Sequence, residues 1–85
     1  TCWDSIDLIE TDNNYYAGRA GIMGDRAGNF AVQNSDFLMC IGNRLNVYQI
    51  GYQYNLWARA AYKVMVDIDP LELIKPTISI DLPIC

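Results

Sequence analysis

The residues best suited to chemistry in this chain lie just past two apolar runs. Gly42-Asn43-Arg44 follows Phe37–Ile41, and Asp67-Ile68-Asp69 closes the run that begins at Tyr62. A glycine there lets a ligand approach the main chain, and an arginine takes a phosphate through its planar fork. An acidic side chain in the second position accepts hydrogen bonds from ribose hydroxyls. Pyrophosphate between Arg44 and the glycine backbone, with ribose on an aspartate, is a coherent dinucleotide pose. Upstream, Gly21-Ile22-Met23-Gly24 forms a glycine turn that lacks the full spacing of a dinucleotide fingerprint.

Each of these residues also has a structural reading. Asp69 fits a helix N-cap. Arg44 fits a solvated charge in a polar loop, and the glycine turn fits a need for positive φ. Tyr48, Tyr52 and Tyr54 fit an interface as well as a stacking platform, because tyrosine has an apolar body and a polar tip. The chain has no histidine, so the commonest general base and any Ser-His or Cys-His dyad are absent. The carboxylates are scattered, and no nucleophile–base pair or metal-ligand spacing emerges. The residues alone point to a nucleotide-binding type of α/β unit.

The elements that position these residues follow from pattern. Asp4 or Ser5 predicts a cap for a short helix to about Glu10, with Ile6 and Ile9 inward. Thr11–Asn14 is a polar turn cluster. Asp25 reads as the N-cap of a helix whose inward stripe is Ala27, Phe30, Ala31 and Asn34. Phe37–Ile41 is unbroken and apolar, which predicts a strand covered on both faces, as in a parallel sheet. Asn43–Asn55 reads as a loop, and Leu56–Ala61 as one or two helical turns. Tyr62–Ile68 is a second strand. Asp69-Pro70-Leu71-Glu72 opens a short helix by cap, first-turn proline and capping box, and Pro76 stops it. Thr77–Leu82 alternates and reads as a third strand. Alternating helices and strands imply a mostly parallel sheet with helices on its faces.

Composition narrows the function classes. Eighty-five residues make at most one small domain, and 52% of them are hydrophobic. That ratio is rich for so small a body and implies apolar surface facing further sequence or a partner. Six basic against ten acidic residues give a net charge of −4, which leaves no basic face for nucleic acid or for a membrane surface. No apolar run approaches the roughly 20 residues of a spanning helix. The N-terminus has no leader-like pattern. Three widely spaced cysteines, Cys2, Cys40 and Cys85, suit neither a disulfide framework nor a zinc site, and read as a reducing, cytoplasmic setting.

An ordered set of these pieces resembles the central domain of thiamine-diphosphate-dependent enzymes, in the acetolactate synthase-like branch. The set is Gly21-Ile22-Met23-Gly24, Asn29-Phe30-Ala31, Ser35-Asp36-Phe37-Leu38, Ile41-Gly42-Asn43-Arg44, Gly51, and Lys63–Pro70 with Glu72. It covers nearly the whole chain. The resemblance implies a Rossmann-like, three-layer α/β domain, present here in part, with residues 1–85 belonging to one central domain of a multidomain enzyme. It implies decarboxylation and carboligation of 2-oxo acids by the parent enzyme. Thiamine diphosphate and magnesium would be held by the outer domains, along with the catalytic glutamate. The 85 residues would therefore be structural or nucleotide-binding, and not catalytic by themselves. The implied partners are the rest of the parent chain and a homo-oligomer, dimer or tetramer.

In the flavin-containing branch the central domain holds FAD. The resemblance then assigns cofactor contacts to Gly21, Ile22 and Met23 in the turn, and to Gly42 and Arg44. It assigns others to Asp67 and Ile68 near the adenosine ribose, and to Asp81 and Leu82 on the adenine side. Two positions depart from that pattern. The turn's third residue is commonly histidine and is Met23 here. A second arginine often follows four residues after the first, where this chain has Tyr48. The family's upstream glycine cluster falls before Thr1. The alternative reading is a nucleotide-binding or oligomer-bracing module without catalysis.

Overall fold

A computed structural model describes all residues, Thr1–Cys85. Its centre is a three-stranded, all-parallel sheet in the order β1 (Phe37–Ile41), β2 (Tyr62–Val66), β3 (Leu82–Ile84). Phe37 pairs with Tyr62 and Ile41 with Val66, while Val64 pairs with Leu82 and Val66 with Ile84. The ladder is closed at its ends by Tyr62 N–H to Asp36 O (2.8 Å), Gly42 N–H to Val66 O (2.9 Å) and Asp67 N–H to Ile84 O (3.0 Å). Three helices accompany the sheet: α1 (Arg26–Gln33), α2 (Val47–Ile50) and α3 (Pro70–Ile74). The α/β class and the parallel sheet match the pattern read from the sequence.

The core lies on one face of the sheet. Met65, 1% exposed, meets Leu45, Ile50 and Ile78, with Cys40, Leu73 and Ile80 packed against them. The hydrophobic effect thus gathers the central strand, α2, α3 and the loop after α3 into one cluster.

The opposite face is open along both edge strands, with only Val64 of the central strand buried between them, which corrects the expectation that β1 is covered on both sides. Phe37, Met39, Ile41, Tyr62, Leu82 and Ile84 alternate onto that face and are 41–70% exposed. Phe37 and Tyr62 stack there with ring centroids 6.4 Å apart. The unbroken apolar run is the sequence of a strand meant to be covered twice. Only one covering layer is built from these residues, so the third layer of the expected architecture is the part not present.

Other expectations are corrected by packing. The helix read over Asp4–Glu10 is a single 3-10 turn, Trp3–Ser5, held by Ser5 N–H to Cys2 O. Ile6, Leu8 and Ile9 after it are exposed, and a short helix without a buried face does not persist in water. The inward stripe of α1 is not Ala27, Phe30, Ala31 and Asn34, which are exposed. Gly28 is buried, with Val32 one turn on half-buried, because glycine alone permits the close approach described below. Asn43–Asn55 contains the short helix α2, capped by the Asn46 side chain accepting from Gln49 N–H. Residues 54–56 form a 3-10 turn in place of helix over Leu56–Ala61. The third strand begins at Leu82, not Thr77. Ile78 is drawn into the core instead, and Pro83 sits on an edge strand, where its missing N–H is tolerated.

The start of α3 follows the sequence signal closely. Asp69 Oδ1 accepts from Leu71 N–H at 2.9 Å, and Pro70 holds the first helical position. Glu72 departs from the capping box: it pairs with Lys75 Nζ at 2.6 Å. Lys75 is extended ahead of Pro76, as the residue before proline must usually be. Replacing Asp69 with alanine removes the cap and destabilises the domain by about 1 kcal/mol. Denaturant unfolding of Asp69→Ala against Asp69→Asn checks this, with asparagine expected to retain most of the stability.

Candidate functional site

Three segments converge beside the carboxyl end of β1. They are the Gly21–Gly24 turn, the loop from Gly42 into α2, and the N-terminal 3-10 turn. Together they line a cavity of about 340 Å³. Ile22, Met23, Trp3, Tyr48, Asn46 and Gln49 form much of its wall, with Asn43 at the strand end. The wall is mixed: aromatic and sulfur surfaces beside three carboxamides.

The turn is fixed from several sides. Arg19 N–H donates to Asp25 Oδ2 at 3.0 Å, and Asp25 N–H returns a bond to Arg19 O at 2.7 Å. Gly24 N–H closes the turn on Gly21 O at 2.9 Å, and Ile22 N–H donates to Tyr48 O at 2.7 Å. Gly21 has φ +118°, and a Cβ there would lie 3.1 Å from Tyr48 O. A Cβ on Gly24 would lie 2.5 Å from Arg19 O. Both glycines of the motif therefore have backbone reasons to be glycine.

Asp25 stands at the N-cap position of α1, but its carboxylate serves Arg19 and not the helix. The Arg19 N–H and then the Arg19 guanidinium, 3.3 Å away, hold its carboxyl below the ordinary value. A depressed folded pKa contributes stability that is complete above the unfolded value, about 4, and is lost as pH falls through the lower folded value. Acid unfolding of wild type and Asp25→Asn should therefore converge below that window and separate above it. Parallel curves at every pH would contradict the clasp.

At the strand end, Gly42 adopts φ +62°, and no atom lies within 4 Å of where its Cβ would be. Asn43 Oδ1 accepts from Leu45 N–H at 2.9 Å, making the turn that buries Leu45 at φ +51°. Arg44 rides on this turn, exposed, with its main-chain oxygen bonded by Lys75 Nζ. Its guanidinium has no hydrogen-bond or ion partner.

The residues singled out by the sequence thus divide. Gly21, Ile22 and Met23 line the cavity with Asn43, while Gly42 and Arg44 adjoin it without lining it. Asp67 and Ile68 lie at the same end of the sheet, beyond β2. Asp67 Oδ1 is taken by Asp69 N–H at 2.9 Å, and Ile68 is exposed. Asp81 and Leu82 lie at the opposite end. Asp81 Oδ2 accepts from Lys63 N–H at 2.7 Å and Asp81 lines a separate groove with Lys63 and Arg59. They are not brought together with Gly42 and Arg44.

The sequence reading gave no role to Asn29, Gln49 or Trp3. Asn29 is in the set that carries the resemblance, yet the residue it bonds, Gly21, lies in the turn outside its helix, where no periodicity reaches. Cys40, half-buried in β1, has its thiol pushed up to about 11 by burial and by nearby Cys2, so it is a packing residue and a poor nucleophile. No group of three histidine, cysteine, aspartate or glutamate side chains is close enough to hold a metal ion. No helix is long and apolar enough to cross a membrane.

Two known proteins resemble the chain over most of its length. The chain is 40% identical over 70 residues to the acetolactate synthase isozyme 2 large subunit of Escherichia coli K12, covering 82% of this chain and 13% of that protein. It is 35% identical over 72 residues to a sulfoacetaldehyde acetyltransferase of Rhodobacter capsulatus, covering 82% of this chain and 12% of that protein. The chain thus spans about an eighth of the length of either relative. All of it, residues 1–85, matches the family described as thiamine pyrophosphate enzyme, central domain. With its parallel α/β sheet and its glycine turn beside the first strand end, the chain belongs to the thiamine pyrophosphate enzyme central-domain family.

Proposed function

We propose that residues 1–85 are a non-catalytic, bracing part of the central domain of a thiamine-diphosphate-dependent enzyme. That enzyme decarboxylates and ligates 2-oxo acids in the cytoplasm, as a homodimer or homotetramer. Thiamine diphosphate and magnesium are bound by its other domains, where the cofactor supplies the carbanion chemistry. One observation carries the reading: four carboxylates at the turn and at the two ends of the sheet are spent on main-chain amides, and the acidic residue on the cavity wall, Asp4, is exposed. Asp25 takes Arg19 N–H, Asp67 takes Asp69 N–H, Asp69 takes Leu71 N–H and Asp81 takes Lys63 N–H. Carboxylates so engaged hold loops and leave little for proton transfer or metal. The open sheet face supports a brace, since it presents six apolar side chains for covering.

The test uses the full-length protein with thiamine diphosphate, magnesium and pyruvate. Asp67→Asn and Arg44→Ala should keep kcat within about twofold, because a lost acid–base group costs about 10²–10⁴. A hundredfold loss in a folded variant overturns the non-catalytic reading.

A second reading is favoured by the free guanidinium of Arg44 beside the open space over Gly42. These residues, with the Gly21–Met23 turn, fit a dinucleotide such as FAD, the arginine taking a phosphate. Full-length protein would then absorb near about 450 nm, the flavin's own band. A colourless protein unaltered by added FAD overturns it.

A further inference from the structure

We propose that Asn29 is the positioning residue of the Gly21–Gly24 turn and so of the cavity wall that the turn forms. Its carboxamide reads both polar atoms of one residue: Gly21 N–H donates to Asn29 Oδ1 at 2.8 Å, and Asn29 Nδ2 donates to Gly21 O at 3.0 Å. Gly21 O also accepts from Gly24 N–H at 2.9 Å. Gly21 therefore has its donor and both acceptor positions filled. The next amide, Ile22 N–H, is held by Tyr48 O on α2. The turn is thus suspended between α1, through Asn29, and α2, through Tyr48.

The two anchors do different work. The Tyr48 bond is made by main chain on both sides and survives any non-proline substitution. The Asn29 bonds are made by one side chain and need a donor and an acceptor 2–3 Å apart on a planar group. Only a carboxamide, or a protonated carboxyl, offers both. Gly28, the neighbouring residue on α1, lies against the Arg19 main chain, which places the first turns of α1 close enough for Asn29 to reach. Asn29 sets where Ile22 and Met23 stand in the cavity without lining it.

Amide hydrogen exchange in full-length protein tests the clamp. Gly21 N–H in Asn29→Ala should lose about tenfold in protection, the worth of one net hydrogen bond. Asn29→Asp keeps the acceptor, but when ionised it sets a carboxylate oxygen against Gly21 O. Protonated, it donates again. Gly21 N–H favours the ionised form, but the second oxygen then meets Gly21 O where the protonated form makes a hydrogen bond, and this lost bond and repulsion raise the pKa in the variant. Protection normalised for intrinsic exchange should be near wild type at low pH. It should fall as pH rises through that raised value. Wild type should show no such step.

A ligand readout rests on the flavin reading and is separable from the clamp. With FAD as the probe, Asn29→Asp should bind with the same pH step while Arg44→Ala binds weakly at every pH. Wild type that takes up no FAD overturns the flavin reading, and the exchange result then decides the clamp alone. Unchanged Gly21 protection in Asn29→Ala, or a pH-independent Asn29→Asp, overturns the clamp. If Asn29→Ala does not fold, the pH step in Asn29→Asp decides.

Discussion

Replacing Gly28 with alanine should destabilise the domain by about 2 kcal/mol, although alanine is the better helix former. A Cβ on Gly28 would lie 2.4 Å from Arg19 O, 2.6 Å from Arg19 C and 2.7 Å from Arg19 N. All three are main-chain atoms, so no side chain can swing away. Arg19 cannot retreat easily, since its N–H and O are both bonded to Asp25. Overpacking of this kind costs about 1–3 kcal/mol, occasionally more, and the gain in helix propensity returns about 1 kcal/mol at most. The net sign is unfavourable, and α1 must slide off Arg19. Gly42→Ala is the control. Its φ of +62° strains any side chain, but no atom lies within 4 Å of the new carbon, so the cost is about 1–2 kcal/mol of conformational strain alone. Denaturant unfolding of both variants in full-length protein decides. If Gly28→Ala is as stable as wild type, the crowding against Arg19 is not limiting.

Met65→Ala should cost about 3 kcal/mol, within the usual range of about 2–5 for truncating a buried methionine. Met65 is the largest fully buried side chain and sits on the central strand. It joins α2 through Ile50, the loop after β1 through Leu45 and the loop after α3 through Ile78. Only 8 of 85 residues are buried, so few neighbours can collapse into the space left. Met39→Ala offers the contrast, because Met39 lies on the open sheet face and is half-exposed. Where that face stays open, its loss should be well under half that of Met65; where the brace covers it in full-length protein, the two costs should approach each other. The same unfolding measurement decides, and a small Met39 cost in full-length protein counts against the brace.

Much of the architecture was legible because its signals are local. Asp69-Pro70 fixes the start of α3 and Pro76 its end. Phe37–Ile41 is a continuous apolar run, and Tyr62–Val66 is a β-rich run broken only by Lys63; both suit strands of a sheet. What was not legible depends on partners distant in sequence. Thr77–Leu82 alternates like a strand, yet Ile78 reaches Met65 across the chain and removes the segment's first half from the ladder. The α1 stripe pointed to Phe30, but burial follows Gly28, whose role comes from Arg19 nine residues earlier. At the site, the glycines and Arg44 stood out by type. Asn29 did not, because a carboxamide on a helix surface has no periodic signature and its meaning lies wholly in the peptide it meets.

The polar side chains of this domain choose main-chain partners. Asp25, Asn29, Asn43, Asn46, Asp67, Asp69 and Asp81 each bond to a peptide N–H. Gln33 does the same for Ala58. Every residue but proline carries that N–H, so a partner position fixed by nothing else, such as Lys63 or Leu71, is free to drift in side-chain identity while the carboxylate or carboxamide is held. Gly21, Leu45 and Asp69 are held by their own conformation, burial or cap. The expected mutational record is one-sided at the free pairs. There, one position tolerates nearly any replacement except proline, and the other tolerates almost none. Covariation between them should be absent even though they touch, and a contact map inferred from correlated substitutions would miss the bonds that shape this site.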